Sequence, residues 1–482
     1  MQSHTGIIEL LVSLWFRRSQ KCVLQSDANV GTGTLATMRL TFAAFLAGGM
    51  MGASAALLVP SPILHAAPAD DLAVRKASFR RPPTVPFPAD NPFSEAKRAL
   101  GEALFHDKRL SIDGTLACAS CHERGKGFAD GKAQGRGVPG RALKRHTPTL
   151  WNLAWSSPVF WDGRARSLEE QVAGPIESPD EMALPMASAV ARLAADPVMV
   201  RAFAEAFPAA PRVDAANLAK AIATYERTFV SPVTRFDRWI DGDQRALAAR
   251  EIAGFRLFTG KARCANCHSG FAFTDYAFHD VGLPGDDRGR GAVLRLKATE
   301  HAFKTPGLRE LGRSAPYMHD GSLATLGAVI RHYASGVVER PTLSRDLARK
   351  LDLSGAERAD LIAFLGTLTS EEPPALPGKI VPVQSGPAGP ALSVSTVSQD
   401  DKAFHPTHIA LPQGGRLWIV NNDTRTHNVR IFDPALDFDS GAQEPGETVE
   451  IAFPAAGSFL VFCGIHPKME LYVDVASTLP AK

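Results

Sequence analysis

Five of the six cysteines stand in short clusters that also contain histidine. Two clusters, at 118–122 and 264–268, share the spacing Cys-x-x-Cys-His. Two thiols at this spacing can add to the vinyl groups of one haem, and the adjacent histidine can bind the iron. A zinc knuckle or a redox dithiol could use the same thiols, but two copies favour two covalent haems c. The predicted haem-binding residues are Cys118, Cys121, His122, Cys264, Cys267 and His268.

A third cluster, Cys463-Gly464-Ile465-His466-Pro467-Lys468-Met469, lies near the C-terminus, and His427 precedes it. One thiolate, two imidazoles and a weak thioether form the ligand set of type 1 copper, which changes between Cu(I) and Cu(II) with little rearrangement. The spacing resembles that of the cupredoxins, amicyanin in particular. The alternatives are zinc, against which the methionine argues, and a structural buried cysteine. The predicted copper ligands are His427, Cys463, His466 and Met469.

Further motifs surround the haem clusters: Thr147-Pro148-Thr149-Leu150, Phe160-Trp161-Asp162-Gly163-Arg164-Ala165, Gln171 to Met182, and Ala315-Pro316-Tyr317-Met318-His319-Asp320-Gly321. With these motifs the chain, from about 92 to 369, resembles the bacterial di-haem cytochrome c peroxidase family. Within that family it resembles the branch that includes the quinone-cofactor maturase of methylamine dehydrogenase. The resemblance implies two cytochrome-c-like helical domains, each with one haem, and reduction of hydrogen peroxide at the first haem.

The resemblance also implies catalytic roles. Peroxide cleavage needs a group that moves a proton from the near oxygen to the far one, and a carboxylate beside the iron can do this. By position Glu181 would be that carboxylate and Gln171 its polar neighbour, while Glu177 is the competing candidate. Trp161 matches the tryptophan that relays electrons between the haems, although taken alone it would be read as a core residue.

Two positions depart from the pattern of many family members. Alignment on Pro148 places Val138 where a distal histidine would be, so we expect the first haem to be open, unless a shifted loop brings in His146. The far ligand of the second haem corresponds to Tyr333, as in the maturase branch, and a phenolate stabilises oxidised iron more than a thioether does. The alternative is a structural tyrosine on a helix over 322–334, where neighbouring His332 would point about 100° away.

A calcium site between the haems is a further property of the family. His146 stands where the family has an asparagine ligand, and Ser314 and Pro316 match the backbone ligands. Imidazole is a poor ligand for a cation that prefers oxygen, which argues against bound calcium here.

The elements that must position these residues change class along the chain. Apolar residues spaced by three and four predict helices over 92–109, 189–207, 214–229 and 246–258. Ser354 and Glu357 form a capping box that predicts a closing helix over 353–368. Short β-rich segments separated by turn residues follow at 417–420, 428–432, 448–453 and 458–462.

The predicted fold is multidomain: two mainly α cytochrome-c-like haem domains followed by an all-β cupredoxin sandwich. We place the first, peroxidatic haem domain at 70–232 and the second, electron-transfer haem domain at 233–370. A Pro/Gly linker at 371–391 leads to the cupredoxin domain at 392–478. Residues 70–91 are rich in proline and basic residues and predict an extended arm with little helix.

The first 69 residues have the pattern of an export signal. Met38 and Arg39 precede an uncharged apolar stretch at 40–59, and small residues follow it. We interpret 1–37 as an upstream extension and 38–69 as a signal peptide cleaved near Ala67 or Ala69, which predicts a periplasmic protein. The alternative is an uncleaved membrane anchor.

A net charge of +3 with 21% charged residues gives no basic tract for binding nucleic acid. The expected partners are hydrogen peroxide and a small redox protein donor, either a cytochrome c or a cupredoxin, and the chain could form a homodimer. The main hypothesis is a di-haem c-type peroxidase whose electrons pass from the donor through copper and the second haem. The tether would hold copper near that haem at millimolar effective concentration. The alternatives are an oxidase that uses high-valent haem to oxidise a partner protein, and a non-enzymatic electron-transfer protein with several centres.

Overall fold

The computed structural model describes residues 71–138, 140–348, 351–371, 380–384 and 394–477. The predicted upstream extension and signal peptide lie outside these residues, as does most of the predicted linker. Among the residues described, no helix combines the length and the apolar character needed to cross a bilayer.

The first part of the described chain is helical. Its elements are α1 (Asp71–Ala77), β1 (Val85–Phe87), α2 (Glu95–Phe105), α3 (Cys118–Cys121), α4 (Leu168–Glu177), α5 (Met186–Ala194), α6 (Pro197–Ala206) and α7 (Ala215–Arg227), with 3-10 turns at Lys108–Leu110, Arg124–Lys126 and Leu153–Trp155. Two predictions are wrong here. The arm expected to contain little helix begins with α1. The single helix expected over 189–207 is two helices, because Asp196 caps a new helix that starts at Pro197.

The second part is also mainly helical. Its elements are α8 (Arg235–Ile240), α9 (Ala249–Thr259), β2 (Phe278–His279), α10 (Arg290–Leu294), β3 (Phe303–Lys304), α11 (Leu326–Arg331), a π-helix (His332–Gly336) and α12 (Gly355–Gly366), with 3-10 turns at Cys264–Asn266, Lys297–Thr299 and Leu311–Arg313. The capping box of Ser354 and Glu357 is confirmed. The regular helix expected over 322–334 is wrong, since it is shorter and ends in the π-helix.

Both helical parts contain a pair of helices that cross at a glycine. A Cβ atom on Gly101 of α2 would lie 2.0 Å from the carbonyl oxygen of Ala221 on α7. A Cβ atom on Gly254 of α9 would lie 2.1 Å from the carbonyl oxygen of Asp360 on α12. Side chains larger than hydrogen would force these helices apart, so each part has the same close helix contact beside its own buried core.

The last part is a sandwich of two sheets. Its strands are β5 (Thr396–Asp400), β6 (Ala403–His405), β7 (His408–Pro412), β8 (Arg416–Asn421), β9 (Arg430–Asp433), β10 (Leu436–Asp439), β11 (Thr448–Ala452), β12 (Gly457–Phe462) and β13 (Glu470–Ala476), after β4 (Pro382–Gln384) in the predicted linker. The sheet orders are β10-β9-β12-β13-β7 and β11-β8-β5-β6. Cys463 and Met469 belong to the buried core between the sheets.

The sandwich is packed against the helical part as well as joined to it by the linker. Leu294 of α10 is 5% exposed and belongs to the apolar core of the sandwich. Strand β4 pairs in parallel with β1, with Val85 opposite Pro382. The linker segment therefore returns to the first helical part before the sandwich begins.

Candidate haem and copper centres

A cavity of about 1480 Å³ lies between the two Cys-x-x-Cys-His motifs. It is larger than the roughly 300–1,000 Å³ of ordinary small-molecule sites. Every predicted haem-region residue lines it: Cys118, Cys121, His122, His146, Trp161, Gln171, Glu181, Cys264, Cys267, His268, Ser314, Pro316 and Tyr333. The folded chain thus brings both motifs and all the residues assigned to them around one space.

The two motif histidines are oriented in the same way. Nδ1 of His122 lies 2.7 Å from the carbonyl oxygen of Phe128, and Nδ1 of His268 lies 2.9 Å from that of Phe273. A carbonyl can only accept, so Nδ1 carries the proton and Nε2 is available for a metal. Burial lowers the pKa of both histidines and favours the neutral form that binds iron. The site therefore fits haem iron in both halves.

The motif thiols do not fit the alternative of a redox dithiol. Burial raises the pKa of Cys118 to about 12 and that of Cys264 to about 12. A reactive dithiol needs a lowered thiol pKa. The buried positions suit sulfurs that are covalently bonded to a macrocycle.

Glu181 and Glu177 have different surroundings. Glu181 is half-buried, lines the cavity with Gln171, and its main-chain carbonyl accepts a hydrogen bond of 2.8 Å from Val138 N–H. Burial raises the pKa of Glu181, and nearby Arg164 partly opposes this. Glu177 is exposed, and its Oε1 accepts from Met186 N–H at 3.0 Å. Of the two carboxylates, Glu181 is the one placed to act on a ligand in the cavity.

Trp161 is fixed by hydrogen bonds at both ends. Its indole Nε1 donates to the carbonyl of His146 at 2.8 Å, and its own carbonyl accepts from Lys304 N–H at 2.8 Å. His146 Nδ1 in turn donates to the carbonyl of Lys132 at 2.7 Å. These contacts hold the indole against the cavity without using its ring face.

Tyr333 lies in the π-helix and lines the cavity, and burial raises the pKa of its phenol. His332 is directed elsewhere, because its Nε2 lies 2.9 Å from the carbonyl oxygen of Val281. The expectation that the two side chains diverge agrees with this geometry.

The predicted copper ligands come together at one end of the sandwich. Sγ of Cys463 lies 3.7 Å from Nδ1 of His427 and 3.8 Å from Nδ1 of His466, and the two nitrogens are 3.0 Å apart. Met469 is 1% exposed beside them. Three soft or borderline donors around one point, with a buried thioether, fit the type 1 copper ligand set.

The local fold explains this convergence. Cys463 follows β12 and Met469 precedes β13, and Cys463 N–H donates to the Met469 carbonyl at 3.1 Å, which closes the loop. His427 precedes β9, and its Nε2 lies 3.1 Å from Oδ2 of Asp423. The hydrogen bond on Nε2 directs Nδ1 towards the thiol.

The comparisons with known proteins agree with the helical part. A family model described as "Di-haem cytochrome c peroxidase" matches residues 95–245. The methylamine utilization protein MauG of Methylorubrum extorquens is 48% identical over 304 residues, which span 62% of this chain and 86% of that protein. The cytochrome c551 peroxidase of Pseudomonas aeruginosa is 34% identical over 292 residues, 58% of this chain and 81% of that protein. The chain belongs to the di-haem cytochrome c peroxidase family.

A solved structure supports the same assignment. The crystal structure of a MauG-like protein associated with microbial copper homeostasis has 33% sequence identity and a TM-score of 0.56, and covers 60% of this chain and 94% of that one. The predicted family and fold class are confirmed, and the di-haem peroxidase is an oxidoreductase. Haem c is the cofactor expected of the family. Calcium at His146, Ser314 and Pro316 stays a prediction.

In this member of the family the loop that carries the predicted copper ligands, residues 463–469 and called the copper-ligand loop below, contacts the second helical part. The Ile465 carbonyl accepts from Phe278 N–H at 3.3 Å, and Lys468 Nζ lies 4.4 Å from the centroid of the Tyr276 ring. Tyr276 also lines the haem cavity. The predicted copper site therefore lies on the side of the molecule that faces the second haem motif.

Several residues of this contact were missed from sequence. Arg290 contacts the copper-ligand loop, and Arg425 of the sandwich binds Asp346 of the helical part at 2.8 Å. Asp423 could have been predicted from the sequence as a hydrogen-bond partner of His427, since it precedes that histidine by four residues. The sequence did not indicate the contacts of Arg290, because its partners are main-chain carbonyls of distant segments.

A second group of potential ligands, Cys267, Asp275 and His279, also lies within 4.8 Å. Cys267 belongs to the second haem motif, and His279 is bonded to Asp275 at 2.9 Å and to Ser344 at 3.1 Å. The group is therefore part of the haem surroundings and not a separate metal site.

Proposed function

We propose that this chain reduces hydrogen peroxide to water with electrons from a small redox protein, which pass through its own copper site and the second haem pocket. The observation that carries the proposal is the contact of the copper-ligand loop with the second helical part, beside the cavity that holds both haem motifs. Reduction of one peroxide consumes two electrons and two protons and gives two water molecules.

Bound haem would supply the redox-active iron, with His122 and His268 as proximal ligands. Glu181 would take a proton from the oxygen of peroxide nearest the iron and deliver it to the far oxygen, which leaves as water. Burial raises its pKa, which moves this carboxyl group in the direction that favours proton exchange at neutral pH. Gln171 would hold the peroxide by hydrogen bonds without changing charge.

Trp161 would lie on the electron path between the two haem pockets. The hydrogen bond from its Nε1 to the His146 carbonyl fixes the orientation of the indole, and the main-chain bond from Lys304 fixes its backbone, which supports a fixed relay more than a mobile one. Tyr333 would be the far ligand of the second haem.

A Cys463→Ser variant tests the role of copper. We expect it to keep both haems and to lose peroxide turnover supported by reduced cytochrome c or cupredoxin. The control is His405→Ser, which removes an exposed imidazole from the same sandwich and leaves the copper ligands intact. Unchanged turnover of the Cys463 variant with every donor would remove copper from the path.

A second function is supported by Tyr333 and by the 48% identity to a MauG protein. In this case bound haem would pass the two oxidising equivalents of peroxide to a side chain of a partner protein, which loses two electrons while peroxide gains them with two protons and gives two waters. Copper would then serve a different partner. Mass spectrometry of candidate partners after peroxide treatment separates the two functions. Covalent oxidation of a partner at the expense of donor turnover would favour this second function.

We also propose that the protein is periplasmic, exported by the signal at 38–69. Mass measurement of the mature chain tests this, since cleavage near Ala67 or Ala69 fixes its N-terminus. A chain that retains the apolar segment at 40–59 would instead be anchored to the membrane.

A further inference from the structure

Arg290 joins the copper-ligand loop to the loop that carries Trp161. Its Nε and Nη2 donate to the carbonyl of Gly464 at 3.0 and 2.8 Å. Its Nη1 donates to the carbonyls of Asp162 at 3.0 Å and Gly163 at 2.6 Å. Gly464 directly follows the copper ligand Cys463, and Asp162 directly follows Trp161. Four hydrogen bonds from one guanidinium group thus connect the main chain that follows Cys463 with the main chain that follows Trp161.

The contact is tightly built around this arginine. Arg290 is 3% exposed, and among the described residues its hydrogen bonds go to main-chain carbonyls. A Cβ atom on Gly163 would lie 2.7 Å from Nη1 of Arg290, and one on Gly464 would lie 2.4 Å from Oδ1 of Asn428. Both glycines therefore permit an approach that other residues would prevent. Burial of a cation without a hydrogen-bonded carboxylate is costly, so packing alone would be served better by an apolar side chain.

A second chain of hydrogen bonds, through Arg425, begins on the other side of the copper site. His427 Nε2 bonds to Asp423, Asp423 accepts from Arg425 at 3.1 Å, and Arg425 donates to Asp346 at 2.8 Å. The carbonyl of Asp346 accepts from Asn266, inside the second haem motif, at 3.0 Å. This connection has more hydrogen bonds in series than the one through Arg290, and Arg425 is partly exposed.

We propose that Arg290 is the bridge that couples the copper site to Trp161, so that electrons from copper join the path between the two haems at Trp161. This changes one step of the proposed route, because copper then need not deliver its electrons to the second haem first. The proposal rests on the proposed function, in which copper supplies the electrons. In each event Cu(I) becomes Cu(II) and the oxidised haem centres gain one electron. Two events and two protons complete the reduction of one peroxide to two waters, and the external donor returns copper to Cu(I).

The test compares Arg290→Met with Arg425→Met in the full holoprotein. Each variant is prepared with reduced copper and oxidised haems, mixed with equimolar peroxide, and followed by the Cu(II)–thiolate absorption band. We expect copper oxidation to slow several-fold in Arg290→Met and to stay close to the wild-type rate in Arg425→Met. The opposite order, or equal slowing of both, would overturn the bridge. Arg290→Lys keeps the positive charge but can form fewer hydrogen bonds, so its rate of copper oxidation should lie between those of the wild type and Arg290→Met. It takes the place of Arg290→Met in this comparison if the methionine variant does not fold.

A double-mutant cycle with Trp161→Phe separates coupling from mere docking. If Arg290 and Trp161 act in series, copper oxidation in the double variant should be no slower than in the slower of the two single variants. If the two residues act independently, their effects on the logarithm of the rate should add. Solution scattering and the copper spectrum should be unchanged in Arg290→Lys. Additive effects, or a scattering profile that reports a detached sandwich, would assign Arg290 a structural role only. Wild-type copper that stays reduced after peroxide would overturn the proposed function itself, and the bridge with it.

Discussion

Oδ2 of Asp423 lies 3.1 Å from Nε2 of His427, while the opposite ring nitrogen, Nδ1, lies 3.7 Å from Sγ of Cys463. The carboxylate is buried and also accepts from Lys402 N–H at 3.0 Å. The imidazole is therefore held by a fixed partner on the side away from the metal ligands, as in many metal sites.

Asp423→Asn keeps the shape of this partner and removes its charge. We expect a copper affinity lower by about 10–100-fold, because outer partners of ligating histidines have effects of this size. Competitive titration with a Cu(I) chelator measures it. Glu444→Gln is the control, since Glu444 is exposed and bonds to Thr426. Equal affinities of the wild type and Asp423→Asn would contradict the assigned role.

Glu181→Gln should lower peroxide turnover by about 10²–10⁴-fold, the usual contribution of a general acid–base group. Because burial raises the pKa of Glu181, the ionised base forms at higher pH than for an ordinary carboxyl group. The rate of reaction with peroxide should thus rise with pH through this raised pKa in the wild type. The glutamine variant should lack that limb of the profile.

Stopped-flow kinetics over a pH series measures this effect. Glu177→Gln is the control, because Glu177 is exposed and outside the cavity lining. Loss of turnover in the Glu177 variant with normal turnover in the Glu181 variant would reverse the assignment.

Gly163→Ala should destabilise the protein through a clash at the copper contact. Gly163 has φ +68°, and its added Cβ would lie 2.3 Å from Cζ of Phe278. Gly114 has φ +71°, but no described atom lies within 4 Å of its Cβ, so Gly114→Ala carries the backbone strain alone. We expect the free energy of unfolding to fall by roughly 1–3 kcal/mol more for Gly163→Ala, as for other overpacked positions. Equal losses in denaturant titrations would count against the close contact.

Arg309→Met should remove a buried ion pair from the second helical part. Arg309 Nη1 donates to Oδ2 of Asp237 at 2.8 Å, and both residues are 2% exposed. Asp237 keeps Arg81 at 3.5 Å, so the loss of Arg309 should cost less than the roughly 3–5 kcal/mol expected when a buried charge loses its sole partner. Arg80→Met is the control, because Arg80 and Asp241 are exposed and 3.7 Å apart, and such pairs contribute at most about 1 kcal/mol.

The same pair predicts a dependence of stability on pH. Burial favours the neutral form of Asp237, but Arg309 and Arg81 outweigh it and lower the pKa of the carboxyl group. A lowered folded-state pKa gives stability that is present above the unfolded pKa and is lost as the pH falls through the folded one. Acid unfolding of the wild type should show this loss, and Arg309→Met should show less of it. Parallel curves would contradict the prediction.

The predicted cofactor ligands could be chosen from the sequence because their chemistry is encoded in short spacings. The residues that follow Cys118, Cys264 and Cys463 predict in each case which cofactor the cysteine binds. The helix break at Pro197 was also visible in principle, since Asp196 and Pro197 form a common helix start.

Contacts between distant segments could not be predicted in this way. Arg290 binds the main-chain carbonyls of residues 162, 163 and 464. Every residue has such a carbonyl, so the residue types at these positions do not predict the contact. The pairing of β4 with β1 likewise depends on main-chain groups in a segment that composition describes as a linker. The arrangement of the copper site against the haem cavity therefore required the folded structure.

The most direct test of copper as the internal electron donor is a single-turnover experiment on the holoprotein prepared with reduced copper and oxidised haems, in which copper alone can supply an electron. After mixing with equimolar peroxide, the copper–thiolate band should appear at a rate that is independent of protein concentration, because the electron moves within one molecule. A band that fails to appear, or a rate proportional to protein concentration, would contradict copper as the internal electron donor.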